Sequence, residues 1–123
     1  MGVERMVVTH AQFEVVNMSF DQMKKAASMG AKLELCAMGP LMGPEAHMAW
    51  MRNWRQVKVD ETAAAVKEVG AQNFILATDL GQTGNPSPAD GLQLFVTDLM
   101  GAGLSKDQIT MMGREVTGKL LMG

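Results

Sequence analysis

A chain of 123 residues is the size of one ordinary domain, and such a domain buries roughly two-thirds of the surface that its unfolded chain exposes. With 47% hydrophobic and 20% charged residues the composition is globular and excludes long disorder. A formal charge of −2, without clustered lysine or arginine, argues against nucleic acid and anionic membrane as partners. The single cysteine, Cys36, excludes an intrachain disulfide and an all-cysteine zinc site.

In chain order, Met1 to Val8 contains Glu4 and Arg5 and no long apolar run, so it does not read as a signal peptide. No later segment approaches the length of a membrane span, and a soluble, cytoplasmic protein is expected. Three segments share one pattern, a Gly-containing small pair followed by an apolar, strand-like run: Met1-Gly2 into Met6-Val7-Val8, Met29-Gly30-Ala31 into Leu33-Glu34-Leu35, and Val69-Gly70-Ala71 into Phe74-Ile75-Leu76. A glycine after an apolar helical stretch is the usual left-handed helix cap, and a short turn then feeds a buried strand. This pattern is the junction between helix and strand in a βαβ repeat.

The helices lie between these junctions. Ser19 with Gln22 forms a capping box for a helix to Met29, with Phe20, Met23, Ala27 and Ala26 on its inner face. The residues from 38 to 58 form a long insertion in which Pro44 starts a predicted helix, with His47, Trp50, Met51 and Trp54 on one face. Asp60 caps a helix to Val69 that turns Ala63, Val66 and Ala65 inward. Pro88 to Met100 carries Leu92, Phe95, Val96 and Leu99 at helical spacing. Ser105 with Gln108 caps a last helix that buries Ile109, Met112, Val116 and Leu120. Strands joined by such helices are parallel, with right-handed crossovers. The expected fold is therefore α/β, a single domain over 1–123 with three parallel strands near 6–9, 32–37 and 73–78.

Functional groups of parallel α/β sheets collect at the C-terminal ends of the strands. Val7-Val8-Thr9-His10 ends on His10 and Ile75-Leu76-Ala77-Thr78-Asp79 ends on Asp79, at almost the same offset from the glycine that opens each unit. An imidazole and a carboxylate on one rim suit a divalent metal or acid/base chemistry. The plainer alternative has His10 bonding a loop carbonyl and Asp79 capping the turn at Gly81. Glu34, flanked by leucines in a strand expected to be buried on both faces, is either an inward-facing site residue or half of a salt bridge at a helix edge. His47 is either held over the site by the insertion or part of a packing or interface helix. Cys36 reads as packing, since nothing local would lower its pKa. The loop Gly81-Gln82-Thr83-Gly84-Asn85-Pro86 lacks the lysine of a phosphate loop.

Val7-Val8-Thr9-His10-Ala11, the helix and strand from Ser19 to Glu34, Ala77-Thr78-Asp79-Leu80-Gly81-Gln82 with Gly84-Asn85-Pro86, and the closing Lys119-Leu120-Leu121-Met122-Gly123 together resemble the C-terminal part of amidohydrolase-like TIM-barrel metal-dependent hydrolases. The resemblance implies a divalent metal, zinc being one candidate, bound by His10 and Asp79. It also implies Asp79 as general base toward an activated water attacking an ester, amide or similar bond of a small-molecule substrate. Glu34 and His47 are the candidate additional ligands. The family's His-x-His pair has no counterpart in this chain, and three strands cannot close an eight-stranded barrel. The expectation is thus a fragment or half-barrel relative, completed by a missing N-terminal part or by homo-oligomerisation. The alternative is a non-catalytic α/β oligomerisation or binding module that has lost the metal site.

Overall fold

The computed structural model describes residues 2–123. Met1, which opens the first predicted repeat, lies outside the described residues. Three strands, β1 (Met6–Val8), β2 (Ala31–Cys36) and β3 (Phe74–Ala77), form one parallel sheet in the order β1-β2-β3. Val8 pairs with Leu33 and Leu33 with Phe74, so one register line runs across the sheet. The helix α1 (Phe20–Ser28) connects β1 to β2, and α2 (Val59–Val69) lies between β2 and β3. After β3 come α3 (Pro88–Gly101), α4 (Lys106–Thr110), a π-helical stretch over Met111–Val116, and α5 (Thr117–Met122).

Two of the three predicted glycine junctions, Gly30 and Gly70, have the positive φ expected of them, and Gly2 does not. Gly30 (φ 89°) follows α1 and its N–H donates to the Ala27 carbonyl, and Gly70 (φ 100°) follows α2 and donates to Val66. Both adopt the left-handed conformation that side chains with a Cβ disfavour. The capping boxes Ser19/Gln22 and Ser105/Gln108 are both formed. The cap of α2 differs from expectation: the helix starts at Val59, Lys58 is the cap residue, and Glu61 accepts the Lys58 N–H, so Asp60 sits in the first turn. There its charge favours the helix dipole instead of capping.

Side chains alternate across the sheet. Val8, Leu33, Leu35 and Phe74 face the helix layer and join Met23, Val66, Leu99 and Met112 in the main core. Leu33, Leu35, Phe74, Met23, Val66, Leu99 and Met112 are all essentially solvent-free, and full burial of such a side chain stabilises by about 1.5–3 kcal/mol. Lys32, Glu34 and Cys36 point to the opposite face, which is covered in part: Cys36 packs beneath the insertion, Ile75 is buried, and Lys32 borders a cavity with Met111, Val116 and Leu120. No residue of β2 is exposed, and Lys32 and Glu34 are half-buried in it. Phe20 and Leu92 are exposed rather than inward: α1 seats itself on Met23, and α3 on Gly91, Phe95 and Leu99.

The insertion holds no α-helix. It contains two short 3₁₀ turns, Gly39–Leu41 and Ala49–Asn53. Arg52 donates from its guanidinium to the carbonyls of Ala46 and His47, which therefore take side-chain partners instead of helical ones. Met38, Met42, Ala46, Met51 and Val57 pack with Phe13 and Cys36 into a second, smaller core above the sheet rim. Met51 is fully buried while Trp50 remains exposed, as 3₁₀ rather than α spacing dictates. Among the described residues, no helix is long and apolar enough to cross a membrane.

Candidate metal centre at the sheet rim

The rim site is built from the ends of all three strands. His10 follows β1 and Asp79 follows β3, and both are held at positive φ, 55° and 54°. Non-glycine residues seldom occupy that region, and such outliers concentrate where side chains are aimed at a task. Glu34 and Cys36 are two residues apart on β2, so they share a face of the strand between the other two. The His10 backbone N–H donates to Glu34 Oε2 at 3.0 Å, which fixes the turn after β1 onto the central strand.

The His10 ring gathers the other groups. Its Nδ1 lies 3.4 Å from Glu34 Oε2, 3.5 Å from Cys36 Sγ and 3.9 Å from Asp79 Oδ2. The ring is stacked on Phe13, with centroids 4.7 Å apart and planes 7° from parallel, so its orientation is set by packing as well as by polar contacts. Two carboxylates around Nδ1 favour the tautomer with the proton on that nitrogen when no ion is bound. His10 and Asp79 are 34% and 36% exposed, whereas Glu34 is 18% exposed and turned inward. Burial first, and then the nearby negative charges of Glu34 and Asp79, push the Cys36 thiol well above its ordinary range. Cys36 is therefore a neutral thiol rather than a nucleophile.

His10, Glu34 and Cys36 could together hold a metal ion. Ligands that share one tetrahedral zinc at bond lengths of about 2.0–2.3 Å lie about 3.3–3.8 Å from one another, and Glu34 Oε2 and Cys36 Sγ lie 3.4 and 3.5 Å from His10 Nδ1. One nitrogen, carboxylate oxygens and a sulfur suit zinc or a similar late transition metal better than magnesium or calcium. His10, Glu34 and Cys36 each offer a ligand atom within 4.8 Å of the others.

Of the residues expected at the site, His10, Glu34 and Asp79 come together. Glu34 contacts His10 and is not part of a helix-edge ion pair. His47 is not with them: it is exposed, and its ring lies against Gly84 on the outer side of the insertion. Cys36, whose local sequence gives no sign of reactivity, is nonetheless a partner of His10. The spacing Glu34-x-Cys36 at the end of a strand was the signal that both side chains leave the same face.

These features define a parallel α/β protein whose strand ends present a His, Glu, Cys and Asp cluster. The chain matches no protein-family profile, no curated protein and no solved structure.

Proposed function

We propose that this chain is a partial-barrel relative of the amidohydrolase-like metal-dependent hydrolases, and that its sheet rim holds a divalent ion for hydrolysis of an ester or amide. The observation that carries this reading is the convergence of Glu34, Cys36 and Asp79 on a single ring nitrogen of His10 at 3.4, 3.5 and 3.9 Å. The three parallel strands joined by helices, with His10 and Asp79 after strand ends, are the units from which such a barrel is built.

His10 and Glu34 would hold the ion, with Cys36 and Asp79 within reach. When bound, such an ion polarises a carbonyl and lowers the pKa of water. Phe13 keeps the imidazole plane fixed, and Glu34 fixes the His10 backbone. Asp79 is the more exposed carboxylate and borders an open groove, so it is placed to take the proton from the attacking water. A second reading, a non-catalytic oligomerisation module, is favoured by the outer edges of β1 and β3, which pair with no strand among the described residues.

The test is a calorimetric zinc titration of the full chain, with metal analysis after gel filtration. About one equivalent is expected, with a loss of affinity of about 10–100-fold or more in His10→Ala and Asp79→Asn. Zinc uptake no greater than that of the unfolded chain, or affinity unchanged by both substitutions, would sink the metal reading.

A further inference from the structure

Next to the His10 and Asp79 rim the insertion leaves an open groove of about 240 Å³. Phe13, Met38, Met42 and Trp54 line it, and Trp50 and Val15 stand at its mouth. Trp50 is 42% exposed and Val15 70% exposed. Large apolar side chains left open to water beside a few convergent polar groups characterise a ligand site. The volume is below the usual range of about 300–1,000 Å³ for drug-sized ligands, and suits a single ring with a short substituent.

The charge of the groove narrows the class further. Asp79 and His10 line it, with Gln82 beside them, and no lysine or arginine does. Glu34 stands directly behind His10 at 3.4 Å. In the metal-free protein a carboxylate or phosphate entering here would meet negative groups with no lysine or arginine to pair with. An uncharged aromatic ring would meet Trp50, Trp54 and Phe13.

We propose that this groove binds a small uncharged aromatic molecule, its ring against the tryptophans and its polar substituent toward His10 and Asp79. The inference rests on the reading of the rim as the reactive centre and gives that centre a substrate class, neutral aryl esters or amides. Hydrolysis adds water across the acyl bond: the acyl carbon gains the hydroxyl, and the departing oxygen or nitrogen gains the proton.

The two tryptophans of the chain, Trp50 and Trp54, both border the groove, so intrinsic fluorescence reports binding directly. The probes, each added to the metal-free protein, are benzamide, the anionic benzoate of similar shape, and acetamide, which has no ring. Benzamide is expected to give a saturable change, benzoate to bind about tenfold more weakly, and acetamide to give none. Trp50→Ala removes an exposed side chain, leaves the circular dichroism unchanged, and should weaken benzamide by about 3–10-fold; Trp54→Ala is the second variant.

The proposal is overturned if benzamide gives no saturable change, if benzoate binds as tightly, if acetamide matches benzamide, or if neither tryptophan substitution weakens binding. It is also overturned if sedimentation shows a dimer that Trp50→Ala converts to monomer while benzamide has no effect, because the groove is then an interface between copies. A zinc titration run in parallel separates the two readings. Benzamide selectivity without zinc uptake removes the metal centre alone, and zinc uptake without that selectivity removes only the aromatic groove.

Discussion

Replacing His10 by glycine and by alanine separates the strain of its backbone from the work of its ring. Both variants lose the stack on Phe13 and the contacts of Nδ1, and both keep the backbone N–H that Glu34 accepts. They differ in the cost of holding φ at 55°. A residue with a Cβ pays about 1–2 kcal/mol for the left-handed region, whereas glycine avoids that cost but gives up about 0.5–1 kcal/mol in unfolded-state entropy. The glycine variant should therefore be the more stable by about 0.5–1 kcal/mol. With a urea m value of about 1.5 kcal/mol/M, its unfolding midpoint should lie about 0.3–0.7 M higher. Both should bind zinc equally poorly, because the imidazole is gone from each. An alanine midpoint equal to or above that of glycine would refute the claim that the chain accepts backbone strain to present this histidine.

Three further outcomes follow from the same cluster and its surroundings. Glu34→Ala leaves the His10 N–H without its acceptor and should cost about 1–3 kcal/mol in urea unfolding, while Glu34→Gln keeps an acceptor and should cost clearly less; equal losses would show that the contact does not hold the turn. Cys36 is protonated in the folded protein at pH values where an unfolded thiol ionises. Its contribution is thus fully present below the ordinary thiol value of 9.0 and falls as pH rises above it. Cys36→Ala should flatten the stability profile in that window, which unfolding series at pH 8 to 10.5 would reveal. Arg55 ties the turn after β1 to the insertion, donating to the Gln12 carbonyl, Asn17 Oδ1 and Glu61 Oε2. A lysine cannot reproduce that fork, so Arg55→Lys should speed amide exchange across residues 11–18; unchanged exchange there would remove Arg55 as the tie.

The sheet was legible from the sequence because each unit announces itself twice, by a glycine that ends a helix and by the apolar run that follows. Gly30 with Leu33-Glu34-Leu35, and Gly70 with Phe74-Ile75-Leu76, placed strands to within a residue or two. His10 and Asp79 could be placed on one rim because each follows the C-terminal end of a strand, at almost the same offset from the glycine that opens its unit. The insertion was not legible. The spacing of His47, Trp50, Met51 and Trp54 is helical on paper, yet its carbonyls are taken by Arg52 and its apolar residues by a core that includes Phe13 from a distant turn. Neither partner can be inferred from local periodicity. In α3 Phe95 and Leu99 are buried and Val96 half-buried at the expected spacing, and only Leu92 gives way to Gly91, where Leu80 packs closely and a glycine carries no hydrophobic signal.

The π-helical stretch at Met111–Val116 bears on how this chain tolerates changes in its length. A π turn holds about one residue more than an α turn, and here Thr117 Oγ1 reaches back five positions to the Met112 carbonyl. Shortening this stretch by a single residue lets it relax to regular α-helix while Ile109 stays on the core before it. Beyond it, Arg5 can still reach the carbonyls of Leu120 and Leu121. The same deletion inside α3 has no such slack and swings every later side chain by about 100°. The C-terminal helix thus carries its own spare residue, and single-codon deletions should be accepted at 111–116 and rejected at 92–99.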